Sequence, residues 1–146
     1  MTRILVVDDD VALVKLLARI VKDQGWEVGA AYDGEEATRE VTRGSWDAVL
    51  LDIKMPKLDG LAALKMMRQH DPDLAVVLIT GDAQQGDMLK AYRAGAYTCL
   101  VKPLDDQEVV RAIREALERA QMGRAARAEG KPAKASTKKK TKPLNK

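Results

Sequence analysis

Phenylalanine is absent from this 146-residue chain, cysteine and histidine occur once each, and aromatic residues make up 3% of it. The missing Phe excludes nothing by itself. A lone Cys99 excludes an intramolecular disulfide and a thiolate metal cluster. The only histidine, His70, lies beside the Asp71-Pro72 turn and reads as a surface residue rather than a catalytic one. No apolar stretch approaches membrane-spanning length. The first apolar run ends at three acids, Asp8-Asp9-Asp10, and is too short for a signal sequence, so a cytoplasmic location is expected.

What is present is 46% apolar and 32% charged residues, enough for one soluble domain of ordinary size and a short appendage. The formal charge of +3 hides an asymmetry. Residues 123–146 hold nine Lys or Arg and one Glu, which leaves 16 basic and 21 acidic residues in the rest. The basic pI therefore belongs to the tail, and it is weak evidence that the body binds nucleic acid. The division expected is a folded domain over 1–121 and a basic, disordered tail over 122–146, which has almost nothing apolar to bury.

Along the body, short apolar runs alternate with helical periodicity. Strands are expected over 3–7, 26–31, 48–51, 74–79 and 97–101. Asp10 caps a first helix that Gly25 ends; Asp33-Gly34 opens a second, and Asp59 caps a third that carries Leu61, Leu64 and Met67. A fourth helix over 83–94 is poorly amphipathic, and a last one opens with a capping box, Asp105 and Glu108. Met66, Met67 and Met88 read as core filler. Strict alternation of strand and helix at these spacings implies right-handed βαβ units, hence a doubly wound α/β domain with one parallel sheet between helices.

The run at 48–51 is uniformly apolar, the mark of a strand buried on both faces, and it stops at Asp52. Ligands of open parallel sheets bind beyond the carboxyl ends of the strands. The residues there are Asp8 and Asp9, Asp52, Thr80 and Lys102. Crowded carboxylates repel, and a hard divalent cation with oxygen ligands relieves them; Mg²⁺ fits, since it binds through one or two carboxylates plus phosphate. Lys102 and Thr80 then complete a site for a phosphoryl group.

These residues carry a resemblance. Val6-Val7-Asp8-Asp9, Leu51-Asp52-Ile53-Lys54-Met55-Pro56, Asp59-Gly60, Ile79-Thr80-Gly81, Ala94-Gly95-Ala96 and Val101-Lys102-Pro103 match, in order and spacing, the motifs of response-regulator receiver domains, the CheY-like family of two-component signalling. The likeness covers about 2–121. It implies a (βα)5 flavodoxin-like, five-stranded parallel sheet of order 2-1-3-4-5, with a cis peptide at Lys102-Pro103. It implies Asp52 as phosphoacceptor; Asp8, Asp9, Asp52 and the Lys54 backbone carbonyl as the Mg²⁺ site; and Thr80 and Lys102 as partners of the phosphoryl oxygens. The donor is then a sensor histidine kinase or phosphotransfer protein. Output would leave through the fourth helix, fifth strand and last helix of a stand-alone, non-enzymatic switch. Lys54 and Asp82 stand where the family tunes phosphoryl lifetime.

The departure is at Cys99, three residues before Lys102, where the family usually has an aromatic ring that reports phosphorylation. Tyr97, on the same strand face by alternation, or Tyr92, on the adjoining helix, offers a substitute; the favoured reading is that Cys99 is a small packing residue and that switching proceeds through the loop after Thr80. Two other readings stay open. The Asp8-Asp9-Asp10 strand end also resembles haloacid-dehalogenase-type phosphatases, which would make Asp8 the nucleophile and leave Asp52 unexplained, and the domain would serve as a phosphorylation-independent scaffold if Asp52 took no phosphoryl group. The tail is either a solubilising extension or a contact for nucleic acid or another polyanion.

Overall fold

The structure, a computed structural model, describes residues 1–53, 60–81, 89–90 and 92–130. Five strands, β1 (Arg3–Val7), β2 (Glu27–Ala31), β3 (Ala48–Asp52), β4 (Ala75–Thr80) and β5 (Thr98–Val101), form one sheet. All four pairings are parallel, and the order is β2-β1-β3-β4-β5, as the resemblance implies. The helices are α1 (Val11–Asp23), α2 (Gly34–Arg43), α3 (Gly60–His70) and α4 (Asp106–Ala128).

Alternation along the strands divides the core in two. Leu5, Val7, Val49, Leu51, Val76 and Leu78 face α2 and α3, whereas Ile4, Val6, Leu50, Val77 and Ile79 face α1 and α4. Every residue of β3 is buried, which explains its unbroken apolar run and leaves its last residue, Asp52, at the rim of the sheet. Three helix starts follow the expected caps: Asp10 accepts from the Leu13 N–H, Asp33 from Glu36 and Asp105 from Glu108. Such caps satisfy amides that the helix itself cannot pair, at about 1 kcal/mol each.

Three details depart from the sequence reading. Met66 is exposed, one position off the stripe of Ala63, Leu64 and Met67 that α3 buries, so it is no core filler. Tyr97 precedes β5 rather than belonging to it; it packs toward α4, and Cys99 packs on the opposite cluster. Finally, α4 continues past Gln121 to Ala128. Arg124 pairs with Asp71 at 3.1 Å and Arg127 with Asp73 at 2.8 Å, which fastens the last turns under the α3–β4 turn. Gly123 lets that helix approach, since a Cβ there would sit 3.0 Å from Asp73 Oδ1.

The Asp59 cap, Lys54, Asp82, Met88, most of the predicted helix 83–94 and the tail from 131 lie outside the described residues. Among the described residues, no helix is long and apolar enough to cross a membrane.

Candidate functional site

β1, β3, β4 and β5 end side by side, so the residues that close each strand share one rim. Asp8, Asp9 and Asp52 each offer a carboxylate oxygen, all within 4.8 Å of one another. Asp8 is 1% exposed, Asp52 5% and Thr80 2%, while Asp9 reaches solvent. Just past the end of β5, Lys102 brings its Nζ to 3.7 Å from Asp8 Oδ2. The Lys102-Pro103 peptide is cis, as the resemblance implies. The register that aligns the rim is closed by the Lys102 N–H donating to the Thr80 carbonyl at 2.8 Å and Ile53 N–H donating to Ile79 at 3.0 Å. Of the site residues read from sequence, Lys54 lies outside the described residues, as does Asp82, read as tuning phosphoryl lifetime.

Two unlike environments meet on Asp8. Its Oδ1 accepts the Asp10 N–H at 2.9 Å, a contact the sequence reading overlooked although an Asp two residues before a turn amide is its ordinary signal. Its Oδ2 is buried with no hydrogen-bond partner among the described residues. Burial pushes the Asp8 carboxyl up to about 6; the Asp10 N–H opposes this, the charge of Asp52 adds to it, and Lys102 opposes it again. A buried oxygen without a donor, beside two further carboxylates, is a strong preference for a cation. The donor set is all oxygen, which suits a hard divalent ion such as Mg²⁺.

Gly60, the first residue of α3, meets the backbone of Ile53 under a tight constraint. The Gly60 N–H donates to the Ile53 carbonyl at 3.2 Å, and a Cβ at Gly60 would lie 2.5 Å from that oxygen and 2.7 Å from Ile53 Cα. Both are backbone atoms and neither can swing aside. Gly60→Ala gains about 1 kcal/mol of helix propensity but incurs overpacking of about 1–3 kcal/mol. The expected result is a net loss of about 1 kcal/mol in urea unfolding, with slowed phosphoryl uptake at Asp52. An unchanged midpoint and unchanged uptake would show that the approach is not needed.

Cys99 packs against the cluster under α2 and α3, and burial pushes its thiol up to about 11. A thiolate is the reactive form, and an ordinary cysteine titrates near 8.5. Iodoacetamide at pH 8 is therefore expected to modify Cys99 on the order of 100-fold more slowly in the folded chain than in urea. Equal rates would contradict this burial. Tyr97 does not stand in for the family's ring beside the site: its hydroxyl donates to Glu115 at 3.4 Å, and Arg119 lies 5.4 Å from its ring centre. Tyr92 reaches Thr98 on β5, with the two hydroxyls 3.4 Å apart.

Comparison with known proteins agrees with this geometry. The family description "Response regulator receiver domain" matches residues 4–114. The transcriptional regulatory protein PrrA of Mycobacterium bovis is 38% identical over 117 residues, 80% of this chain and 50% of PrrA. ZraR of Salmonella typhimurium is 34% identical over 78% of this chain and 26% of its own length, so the chain spans half or less of these two relatives. Among solved structures, a CheY-like receiver domain from Methanospirillum hungatei superposes with a TM-score of 0.81 at 27% identity, covering 84% of this chain and 98% of that one. TrrA of Thermotoga maritima, solved in complex with Mg²⁺-BeF, gives 0.73 at 32% identity over 80% of this chain and 99% of TrrA. With a matched family, a shared fold and the strand-end carboxylates in one rim, the chain belongs to the response regulator receiver domains of two-component signalling.

Proposed function

We propose that this chain is a phosphoacceptor switch in which Asp52 takes a phosphoryl group from a sensor histidine kinase or phosphotransfer protein. The observation that carries the reading is the convergence of buried Asp52 with Asp8 and Asp9, within 4.8 Å, on a rim shared with Thr80 and Lys102. Asp8, Asp9 and Asp52, with the Lys54 carbonyl, are the proposed holders of Mg²⁺, the metal named with TrrA. When bound, the metal supplies positive charge to the carboxylates and to the oxygens of the transferred group.

The chain's own residues do the rest. A carboxylate oxygen of Asp52 forms the new bond to phosphorus as the donor's bond breaks, which makes an acyl phosphate. Lys102, held near Asp8 in the resting rim, turns its ammonium to a phosphoryl oxygen. Thr80, at the end of buried β4, offers its hydroxyl to another. The protein is then no turnover enzyme; its product is its own phosphorylated form. Output is proposed to pass through the surface of 83–94, β5 and α4, by phosphorylation-dependent binding of a protein. The lysines of 131–146 are proposed to add contact with nucleic acid or another polyanion, strongest at low salt.

The experiment is incubation of the full chain with labelled acetyl phosphate, with and without Mg²⁺. One phosphoryl group per chain, dependent on the metal and mapped to the peptide containing Asp52, is the expected result. Failure to label, or a label mapped elsewhere, would overturn the assignment.

A further inference from the structure

Asp8 stands on a backbone that the sheet fixes: its N–H donates to the Ala31 carbonyl at 3.1 Å, just past the last paired residues of β1 and β2. The sheet leaves the carboxyl free to turn, because the terminal torsion of an Asp side chain is broad and roughly two-fold. A single hydrogen bond selects its orientation. The Asp10 N–H donates to Oδ1 at 2.9 Å, and Oδ2 is then the oxygen that faces Lys102 Nζ at 3.7 Å, buried and with no hydrogen-bond partner among the described residues.

Asp10 is not one of the three carboxylates that converge on the rim. Its acceptors serve α1 instead: Oδ1 takes the Leu13 N–H at 3.2 Å and the carbonyl takes the Val14 N–H at 3.0 Å. The backbone at Asp10 is extended, with φ −82° and ψ 102°, the ordinary conformation of a helix cap. The helix that it caps is held by Val14, Leu17, Ile20 and Val21, buried in the cluster that also contains Ile4 and Val6 of β1. The direction of the Asp10 amide is therefore set by a helix packed on the strand that leads to Asp8. Groups that hydrogen-bond a metal-holding carboxylate commonly change metal affinity by about 10–100-fold.

We propose that Asp10 is the positioning residue of the rim: by capping α1 it aims its amide at Asp8 Oδ1, which leaves Oδ2 for Lys102 and for the cation. The inference rests on the Mg²⁺ reading given above. Asp10 acts through Asp8 and touches neither the ion nor the phosphoryl group. Its carboxylate matters as a cap rather than as a charge. Asn caps a helix about as well as Asp, and Ala does not.

The test is calorimetric titration of the full, metal-free chain with Mg²⁺, for wild type, Asp10→Asn and Asp10→Ala. The two variants lose the same charge, so the comparison between them isolates the cap. Asp10→Ala is expected to bind Mg²⁺ about tenfold more weakly than Asp10→Asn, and Asp10→Asn to stay within about threefold of wild type at 0.15 M salt. A second readout needs no metal: hydrogen exchange of the residue-10 amide, corrected for its intrinsic rate, is expected to be on the order of tenfold faster in Asp10→Ala than in Asp10→Asn. Asp10 is exposed, so Asp10→Ala keeps the fold. A cap with only a structural role would lower the unfolding midpoint and leave the Mg²⁺ affinity of the folded chain unchanged. Equal affinities in the two variants, or equal exchange of their residue-10 amides, would overturn the inference and leave the Mg²⁺ reading standing. Failure of the wild-type chain to bind Mg²⁺ would overturn both.

Discussion

Asp52→Asn is expected to reduce labelling by acetyl phosphate in Mg²⁺ to below about 1% of wild type, since removing a nucleophile commonly costs 10⁴-fold or more. Asn keeps the shape of Asp52 and withdraws the carboxylate, so the buried end of β3 stays filled while the bond-forming oxygen is lost. The fold is expected to survive, because the substitution also removes a negative charge that now presses on Asp8. Asp8→Asn should still label at Asp52, more slowly, since it loses one proposed metal ligand and keeps the nucleophile. The haloacid-dehalogenase resemblance of the β1 end makes the opposite demand: Asp8 would be the acceptor and Asp52→Asn would label normally. Labelling both variants side by side separates the two assignments, and full labelling of Asp52→Asn would end the one proposed here.

Most of this rim was legible in the sequence because it depends on short-range rules. An unbroken apolar run that stops at Asp52 means a doubly covered strand, and each of Val7, Ile79 and Val101 is followed by or borders a polar strand end. Parallel topology then brings the ends together without any knowledge of side-chain contacts. What was not legible needed tertiary partners. Nothing local in 122–128 announces a helix that must stay docked; Arg124 and Arg127 find Asp71 and Asp73 more than 50 positions away. Each pair is partly exposed and worth about 1 kcal/mol or less. Burial of Gly123 against Asp73 adds the contact that no charge count contains. Tyr97 failed for a related reason. Side-chain alternation holds only inside a strand, and β5 begins one residue later, at Thr98. The result is that the two large polar rings near β5 serve different neighbours, Tyr92 at Thr98 and Tyr97 at Glu115 and Arg119, and neither fills the position Cys99 leaves.

Asp8→Asn is expected to make the metal-free protein more stable at pH 7, by about 3 kcal/mol, from a carboxyl whose folded-state pKa of about 6 stands above its unfolded value of 3.8. The direction follows from proton binding. Below pH 4 the group is protonated in both states and costs nothing. Between 4 and 6 the folded chain holds a proton that the unfolded chain has released, so stability falls as pH rises through this window. Above 6 the folded chain carries a buried charge whose Oδ2 has no hydrogen-bond donor among the described residues, with Lys102 at 3.7 Å as partial relief. Asn keeps the acceptor for the Asp10 N–H and removes the charge. The difference in unfolding free energy between variant and wild type should therefore be near zero at pH 4 and grow to its plateau by pH 7. Measuring this difference cancels the carboxylates remote from the rim, which are the same in both proteins, and leaves Asp8 with its coupled neighbours as the source of the change. Saturating Mg²⁺ at pH 7 should then reverse the order: wild type gains stability through an intact set of three carboxylates, and Asp8→Asn gains less. A difference independent of pH would mean that the Asp8 charge is already satisfied in the free protein. An equal gain from Mg²⁺ in both would remove Asp8 from the metal site while leaving Asp52 as acceptor.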